Sequence, residues 1–548
     1  MQRHLCLHAC LSIAIPAIAV CAQPQPIHRS GNELRAAHAY DAAVRGGPLT
    51  LYAFLVKFPK GADLHVHTSG AVYAETFIRD AAEDGLCVDP AARTFSQPPC
   101  TGKLVSAASL SGNVNSAGQL LYDKLIDAFS MRSFAPSEGW SAHDQFFATF
   151  DRFSALGGGH LGEWVDEIAR RAARQNEQYL ELMHTPKFDH AKQIAHEIGW
   201  SAEMSRPDVG TADFARLRQE LLERGLREEV NADREEVHRA EAERERTERC
   251  GTARAAAACK VEIRYIYQVL RGNPPEEVFA QTLLGLETVA ADMQADGGGF
   301  VGVNFVMAED GYLSMRDYTL QMKMLNYLHS AYPKVHISLH AGELAPGMVP
   351  PDGLRFHIRQ AVELGHAERI GHGVDVMYED EPWGLLKEMA ARHVMVEINL
   401  TSNAVILGIK GDEHPFPIYR RMHVPVALST DDEGVSRIDL TDEFVMAARE
   451  YHLSYADMKE LARTGTEHDF LPGASLWARQ DDFREPVVAC RGQVLGGEVP
   501  NAECKAFLEK SEKAAAQWEL EGRLRAFEER QGTGNRDRPE SDTGSVRP

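Results

Sequence analysis

A chain of 548 residues and 60.7 kDa is longer than one hydrophobic core usually needs, yet a barrel with inserted segments uses such a length as a single domain. Its 44% hydrophobic and 25% charged residues are those of an ordinary soluble globular protein, which excludes wholesale disorder and a membrane bundle. A formal charge of -22, with no Lys/Arg run interleaved with aromatics, excludes nucleic-acid polymers as partners.

The chain opens with Arg3, an apolar run from Leu11 to Val20, and the small-residue pattern Val20-Cys21-Ala22 before Gln23. This reads as a signal peptide over residues 1–22 and predicts a secreted or periplasmic protein. The run is interrupted by Pro16 and falls short of the about 20 residues that span a bilayer, so no membrane span is expected. Short runs rich in Val, Ile and Leu then predict strands at Ala62–Val66, Tyr179–Met183, Glu262–Tyr267, Phe300–Val306, Val335–Leu339, Arg369–Gly371, Val394–Ile398 and Pro425–Ser429. Continuous apolar strands alternating with helical patterns are buried on both faces. Eight such units predict an α/β fold, a (β/α)8 TIM-type barrel with loop and helical insertions, over residues 23–530.

Two stretches read as insertions, at about 87–140 and 205–259. The first is loop-rich, with many Gly, Ser, Ala and Pro residues. The second is dense in Glu and Arg at helical spacing and is expected to form a solvated helix laced with ion pairs. The segment 531–548 has the composition of a disordered tail. Of nine cysteines, Cys6, Cys10 and Cys21 fall in the leader. The other six form three sequence-local pairs, and in an oxidising compartment their even number predicts the disulfides Cys87–Cys100, Cys250–Cys259 and Cys490–Cys504.

Four motifs stand at the C-terminal ends of predicted strands, where barrel enzymes place their sites. In Asp63-Leu64-His65-Val66-His67 the two histidines are two apart on a strand and face the same side, as two zinc-binding imidazoles must. In His340-Ala341-Gly342-Glu343 a histidine enters a small-residue turn that brings a carboxyl into the same space. In Gly371-His372-Gly373 the flanking glycines permit close backbone packing. In Thr430-Asp431-Asp432 two carboxyls adjoin, which is costly unless a cation or proton stabilises them. Each motif alone also fits a turn, a helix cap or an ordinary core histidine.

Taken together, PKGADLHVHTSGA, YLELMHTP, HAGE, RIGHGVDV and STDDEG resemble the adenosine deaminase family, over about Phe58 to Leu440. Within it the chain is most similar to the extracellular branch related to the adenosine deaminase growth factors, which the leader, cysteine pairs and long first insertion also fit. The resemblance implies that His65, His67, His340 and Asp431 hold one zinc ion per chain. It further implies Glu343 as the acid that protonates the purine ring, His372 as the group that positions and deprotonates the zinc water, and Asp432 as the partner of N7. Zinc brings the pKa of water from about 15.7 toward about 7, so water can add to C6 of a ring protonated at N1, with loss of ammonia.

Three positions depart from the family pattern. Asn304 and Met307 replace the Asp and Gly of a segment that lies against the purine, and Ser69 replaces an Asp that faces the ribose 5′-hydroxyl. All three are candidate substrate-binding residues beside Asp432. The partner expected is a small-molecule purine nucleoside, adenosine or 2′-deoxyadenosine, while the oligomeric state and preferred nucleoside stay open. The competing readings are an amidohydrolase acting on another purine or amine, and a secreted adenosine-binding signalling protein. The other zinc deaminase pattern is half present as His366-Ala367-Glu368, but no P-C-x-x-C follows.

Overall fold

A computed structural model describes residues 30–110, 116–206, 208–295 and 298–533; the expected leader and nearly all of the expected tail lie outside the described residues. The apolar runs form eight strands: β1 Gly61–His67, β2 Glu177–His184, β3 Glu262–Leu270, β4 Phe300–Val306, β5 His336–Ala341, β6 Arg369–His372, β7 Met395–Ile398 and β8 Val426–Leu428. They pair in parallel in that order in one sheet. The sheet closes between β1 and the residues after β8: the His67 N–H donates to the Asp431 carbonyl at 3.2 Å, and the Asp431 N–H donates to the His65 carbonyl at 2.8 Å. This is the expected (β/α)8 barrel. Its seam is stitched by residues of the first and fourth motifs.

Burial follows from composition. Every residue of β1 is buried, and the long helix Pro275–Asp292 between β3 and β4 buries Val278, Phe279, Leu283, Leu284, Leu286 and Val289 against the sheet. Each such side chain contributes about 1.5–3 kcal/mol by leaving water. Inside the barrel, Ala62, Leu64, Tyr179, Met395 and Ala427 pack with Leu471 and Ala516 of the C-terminal segment.

The insertions are more ordered than their composition suggests. Residues 87–106 form a small antiparallel sheet of strands Cys87–Asp89, Thr94–Ser96 and Val105–Ser106, and the helix Ser116–Ala128 follows. Strands this short carry too few side chains to display a period of two. In the second insertion the helix Val230–Glu248 buries Val230, Val237 and Ala240 and is tied to the helix Pro275–Asp292 by the ion pair of Arg234 with the buried Asp292 at 2.6 Å. It is therefore packed on one face rather than solvated throughout. The six cysteines form the three expected local disulfides. Among the described residues no helix is long and apolar enough to cross a membrane.

Candidate metal centre and active site

The C-terminal ends of β1 and β5 and the turn after β8 bring His65, His67, His340 and Asp431 together. His340 Nε2 lies 3.1 Å from His65 Nε2 and 3.2 Å from His67 Nε2, and Asp431 Oδ1 lies 3.2 Å from His67 Nε2 and 3.6 Å from His65 Nε2. The far ring nitrogens say which atoms these are chemically. His65 Nδ1 faces Glu397 Oε2 at 2.6 Å, His67 Nδ1 faces Gln268 Oε1 at 3.1 Å, and His340 Nδ1 faces Asn304 Oδ1 at 2.6 Å. Each Nδ1 must therefore carry the hydrogen, which leaves three Nε2 lone pairs directed at one point beside a carboxylate. Burial opposes the charge on Asp431, but hydrogen bonds with His65 and His67 hold its carboxyl well below the usual range. Three imidazoles and one carboxylate are a donor set that fits a zinc ion.

The outer partners are anchored in turn. Asn304 Nδ2 donates to Ser338 Oγ at 3.2 Å, Ser338 Oγ donates to Glu397 Oε1 at 2.9 Å, and Arg369 Nε donates to the same oxygen at 2.7 Å. The structure corrects the expectation for Asn304, which is fully buried behind His340 and outside the cavity lining because its amide is taken up by His340 and Ser338. Gly371 is needed for close approach: a Cβ there would stand 2.6 Å from His65 Cε1.

A cavity of about 450 Å³ opens beside the cluster. Its polar end holds His67, His340, Glu343, His372, Asp431 and Asp432, and Ser69 and Thr185 also line it. Its apolar wall is formed by Phe146, Phe147 and Phe150 of the helix Ala142–Phe153, with Leu270, Val306 and the half-exposed Met307. Burial, then Asp431 and Glu309, pushes the Glu343 carboxyl well above its ordinary value. Burial and the adjoining Asp431 do the same to Asp432, whose Oδ1 is buried without a hydrogen-bond partner in the protein. Burial lowers His372 to about 3, so its ring is neutral. His372 and Asp431 hold φ values of 71 and 62. For residues other than glycine this left-handed backbone costs about 1–3 kcal/mol, and such strain gathers at functional sites.

The turn that carries Glu343 is gripped from behind. Gly342, at φ 78, lets two successive N–H groups, its own and that of Glu343, donate to Glu309 at 3.0 and 2.8 Å. Burial alone would raise Glu309, but the hydrogen bond from His357 Nδ1 at 2.5 Å, the nearby Arg271 charge and the Gly342 N–H together hold the carboxyl down to about 2.

Three of the four metal candidates, His67, His340 and Asp431, thus meet Glu343, His372, Asp432, Ser69 and Met307 at one cavity, and His65 completes the cluster from a fully buried position behind it. His366 lies elsewhere, bonded to Asn326 Oδ1 at 2.8 Å. Sequence reasoning missed Gln268, Glu397, Glu309 and the phenylalanine wall. Glu397 had left a signal, a lone charge within the apolar run Val394-Met395-Val396-Glu397-Ile398. Gln268 had another, a polar residue between Tyr267 and Val269.

A family profile described as adenosine deaminase matches residues 160–478, more than half of the chain and downstream of the His65/His67 motif. Among curated proteins, the chain is 34% identical over 135 residues to an adenosine deaminase of Clostridium perfringens, covering 24% of this chain and 37% of that protein. It is 32% identical over 184 residues to an adenosine deaminase of Shewanella loihica, covering 33% of this chain and 47% of that protein. The chain therefore spans less than half the length of these relatives. Among solved structures, an amidohydrolase from Burkholderia ambifaria with bound Zn shares the fold at a TM-score of 0.50 and 17% identity, covering 87% of this chain and 94% of that one. On the extent of the profile match, the chain belongs to the adenosine deaminase family.

Proposed function

We propose that the protein is a zinc-dependent aminohydrolase that converts adenosine and 2′-deoxyadenosine to inosine and ammonia. The observation that carries this reading is that two carboxyls which burial pushes above their ordinary values, Glu343 and Asp432, share one cavity with a cluster that fits a metal ion. The N1 and N7 atoms of adenine accept hydrogen bonds only, so a site for adenine needs a donor opposite each. Glu343 supplies the proton to N1 and Asp432 donates to N7, while the phenylalanine wall takes the apolar face of the nucleoside. A zinc ion held by His65, His67, His340 and Asp431 supplies Lewis acidity that brings the pKa of water to about 7. His372, beside Glu343 and Asp431, holds the attacking water against C6.

The resemblance to the extracellular growth-factor-related branch and the three disulfides support an exported enzyme working in an oxidising compartment. The test is the shift from adenosine to inosine absorbance with purified protein, extended to a nucleoside panel compared by kcat/KM. Adenosine and 2′-deoxyadenosine are turned over, 5′-modified adenosines are tolerated because Ser69 brings no charge, and cytidine and guanosine fail. Faster turnover of cytidine or guanosine than of adenosine would sink the proposal.

A further inference from the structure

The His372 ring is held from behind by hydrogen-bond donors. After β7, the short helix Leu400–Ser402 widens into a π-turn over Asn403–Leu407, and this turn carries Asn403 Nδ2 to 2.9 Å from His372 Nδ1. Behind it, His414 Nε2 lies 3.0 Å from Asn403 Oδ1, and the backbone N–H of Phe416 donates to His414 Nδ1 at 3.1 Å. The side chains of His372, Asn403 and His414 are all buried.

The direction of this chain is set at its far end. A backbone N–H only donates, so His414 Nδ1 keeps its lone pair and the hydrogen sits on Nε2. That Nε2–H donates to Asn403 Oδ1, which turns the Asn403 amino group toward His372. The Nδ1 of His372 accepts, and in the neutral ring the hydrogen is then on Nε2. Asn399 Nδ2 lies across the ring edge, 3.4 Å from the same Nδ1 and 3.5 Å from Nε2, too distant at either nitrogen to outweigh the 2.9 Å contact from Asn403. The Nε2 faces the cavity, 3.8 Å from both Glu343 Oε1 and Asp431 Oδ2.

We propose that Phe416, His414 and Asn403 are a relay of positioning groups that locks His372 in the tautomer with hydrogen on Nε2, so that His372 meets the attacking water as a hydrogen-bond donor. The resemblance implied a base at this position; a ring already protonated on the cavity side holds the water instead and leaves proton transfer to Glu343. The proposal rests on the aminohydrolase reading for the identity of the water, but the tautomer itself does not depend on the substrate.

The decisive variant is Asn403→Asp, which has the same shape. Its carboxylate accepts from His414 Nε2 and also from His372 Nδ1, drawing the hydrogen to Nδ1 and leaving Nε2 bare. In the zinc-loaded enzyme kcat should fall at least about 100-fold, with KM within about threefold and zinc content unchanged. His414→Leu should lose turnover similarly. His414→Gln, whose amide oxygen accepts from Phe416 and whose amino group donates to Asn403, should recover most of it; this pair carries the test if Asn403→Asp does not fold. Independently of turnover, the 15N spectrum of histidine-labelled holoenzyme, assigned by the signal lost in His372→Gln, should show a pyridine-type Nδ1 and a pyrrole-type Nε2 in the wild type. The pattern should reverse in Asn403→Asp. A pyridine-type Nε2 in the wild type, or undiminished turnover in Asn403→Asp, overturns the relay. A wild type inert toward every purine nucleoside overturns the proposed function, and the 15N pattern still decides the relay.

Discussion

His143 Nε2 lies 3.1 Å from Asp310 Oδ1, and this contact ties the helix that carries Phe146, Phe147 and Phe150 to the loop that carries Met307. Two walls of the cavity, far apart in sequence, are thereby joined at its mouth. Burial opposes protonation of His143, but the hydrogen bond to Asp310 and the charges of Asp310 and Asp144 raise its pKa above 6.5.

Breaking this contact should loosen substrate binding more than chemistry. His143→Ala should raise KM for adenosine roughly two- to fivefold with kcat nearly unchanged, the size of a half-buried pair contributing about 0.5–1 kcal/mol. A group whose folded pKa is raised has its full partner below the unfolded value and loses it as pH rises through the folded value. Wild-type KM should therefore climb above about pH 6.5, while that of the variant stays flat. Parallel pH dependence in the two proteins would count against the contact as a latch.

Metal retention should follow the histidines and their outer partners. His65→Ala and His340→Ala should lose zinc and activity together, and Gln268→Ala, which removes the acceptor that orients His67, should weaken zinc binding about 10- to 100-fold. Elemental analysis after dialysis against a graded chelator reads this out. Full zinc occupancy in both histidine variants would refute the ligand set.

Glu343→Gln keeps the shape of the acid but cannot deliver its proton, so zinc should stay and kcat should drop about 10²–10⁴-fold. Glu309→Gln acts one step behind. The Gly342 and Glu343 N–H groups donate to different oxygens of Glu309, and the glutamine would set a donor amino group against one of them, so a smaller loss of kcat is expected, with faster amide exchange at residues 342–343. Near-normal turnover in Glu343→Gln removes that residue from the mechanism.

Stability should carry a pH signature from Asp233, buried on the helix Val230–Glu248 with Thr288 Oγ1 donating to it at 3.3 Å. Burial, then the charge of Glu229, pushes its carboxyl up to about 8. Between about pH 4, where a free Asp titrates, and pH 8 the folded state holds a proton that the unfolded state releases. This contribution is complete below pH 4 and is lost as pH rises through 8. The Tm of Asp233→Asn should therefore gain on that of the wild type from pH 5 to pH 8. A constant difference between the two melting curves would show that Asp233 does not titrate in this window.

The sequence by itself determined the barrel and brought forward the candidate metal ligands. Eight apolar runs of strand length, separated by helical patterns, bury both faces only in a parallel sheet, and His65, His67, His340 and Asp431 each stand at or just past a strand's C-terminal end, so closing the sheet brings them together. What only the tertiary structure decided is what stands behind and across from them. Gln268, Asn304 and Glu397 set the tautomers of the three histidines, Glu309 grips the Glu343 turn, and Asn403 and His414 act on His372 from beyond β7. These partners meet through single hydrogen bonds across strands and loops, an interaction that leaves no periodic trace in one chain. Asn304 illustrates the limit: its place near the site was legible, but whether its amide turned to the cavity or to His340 depended on Ser338 of the neighbouring strand, and that choice is made in three dimensions.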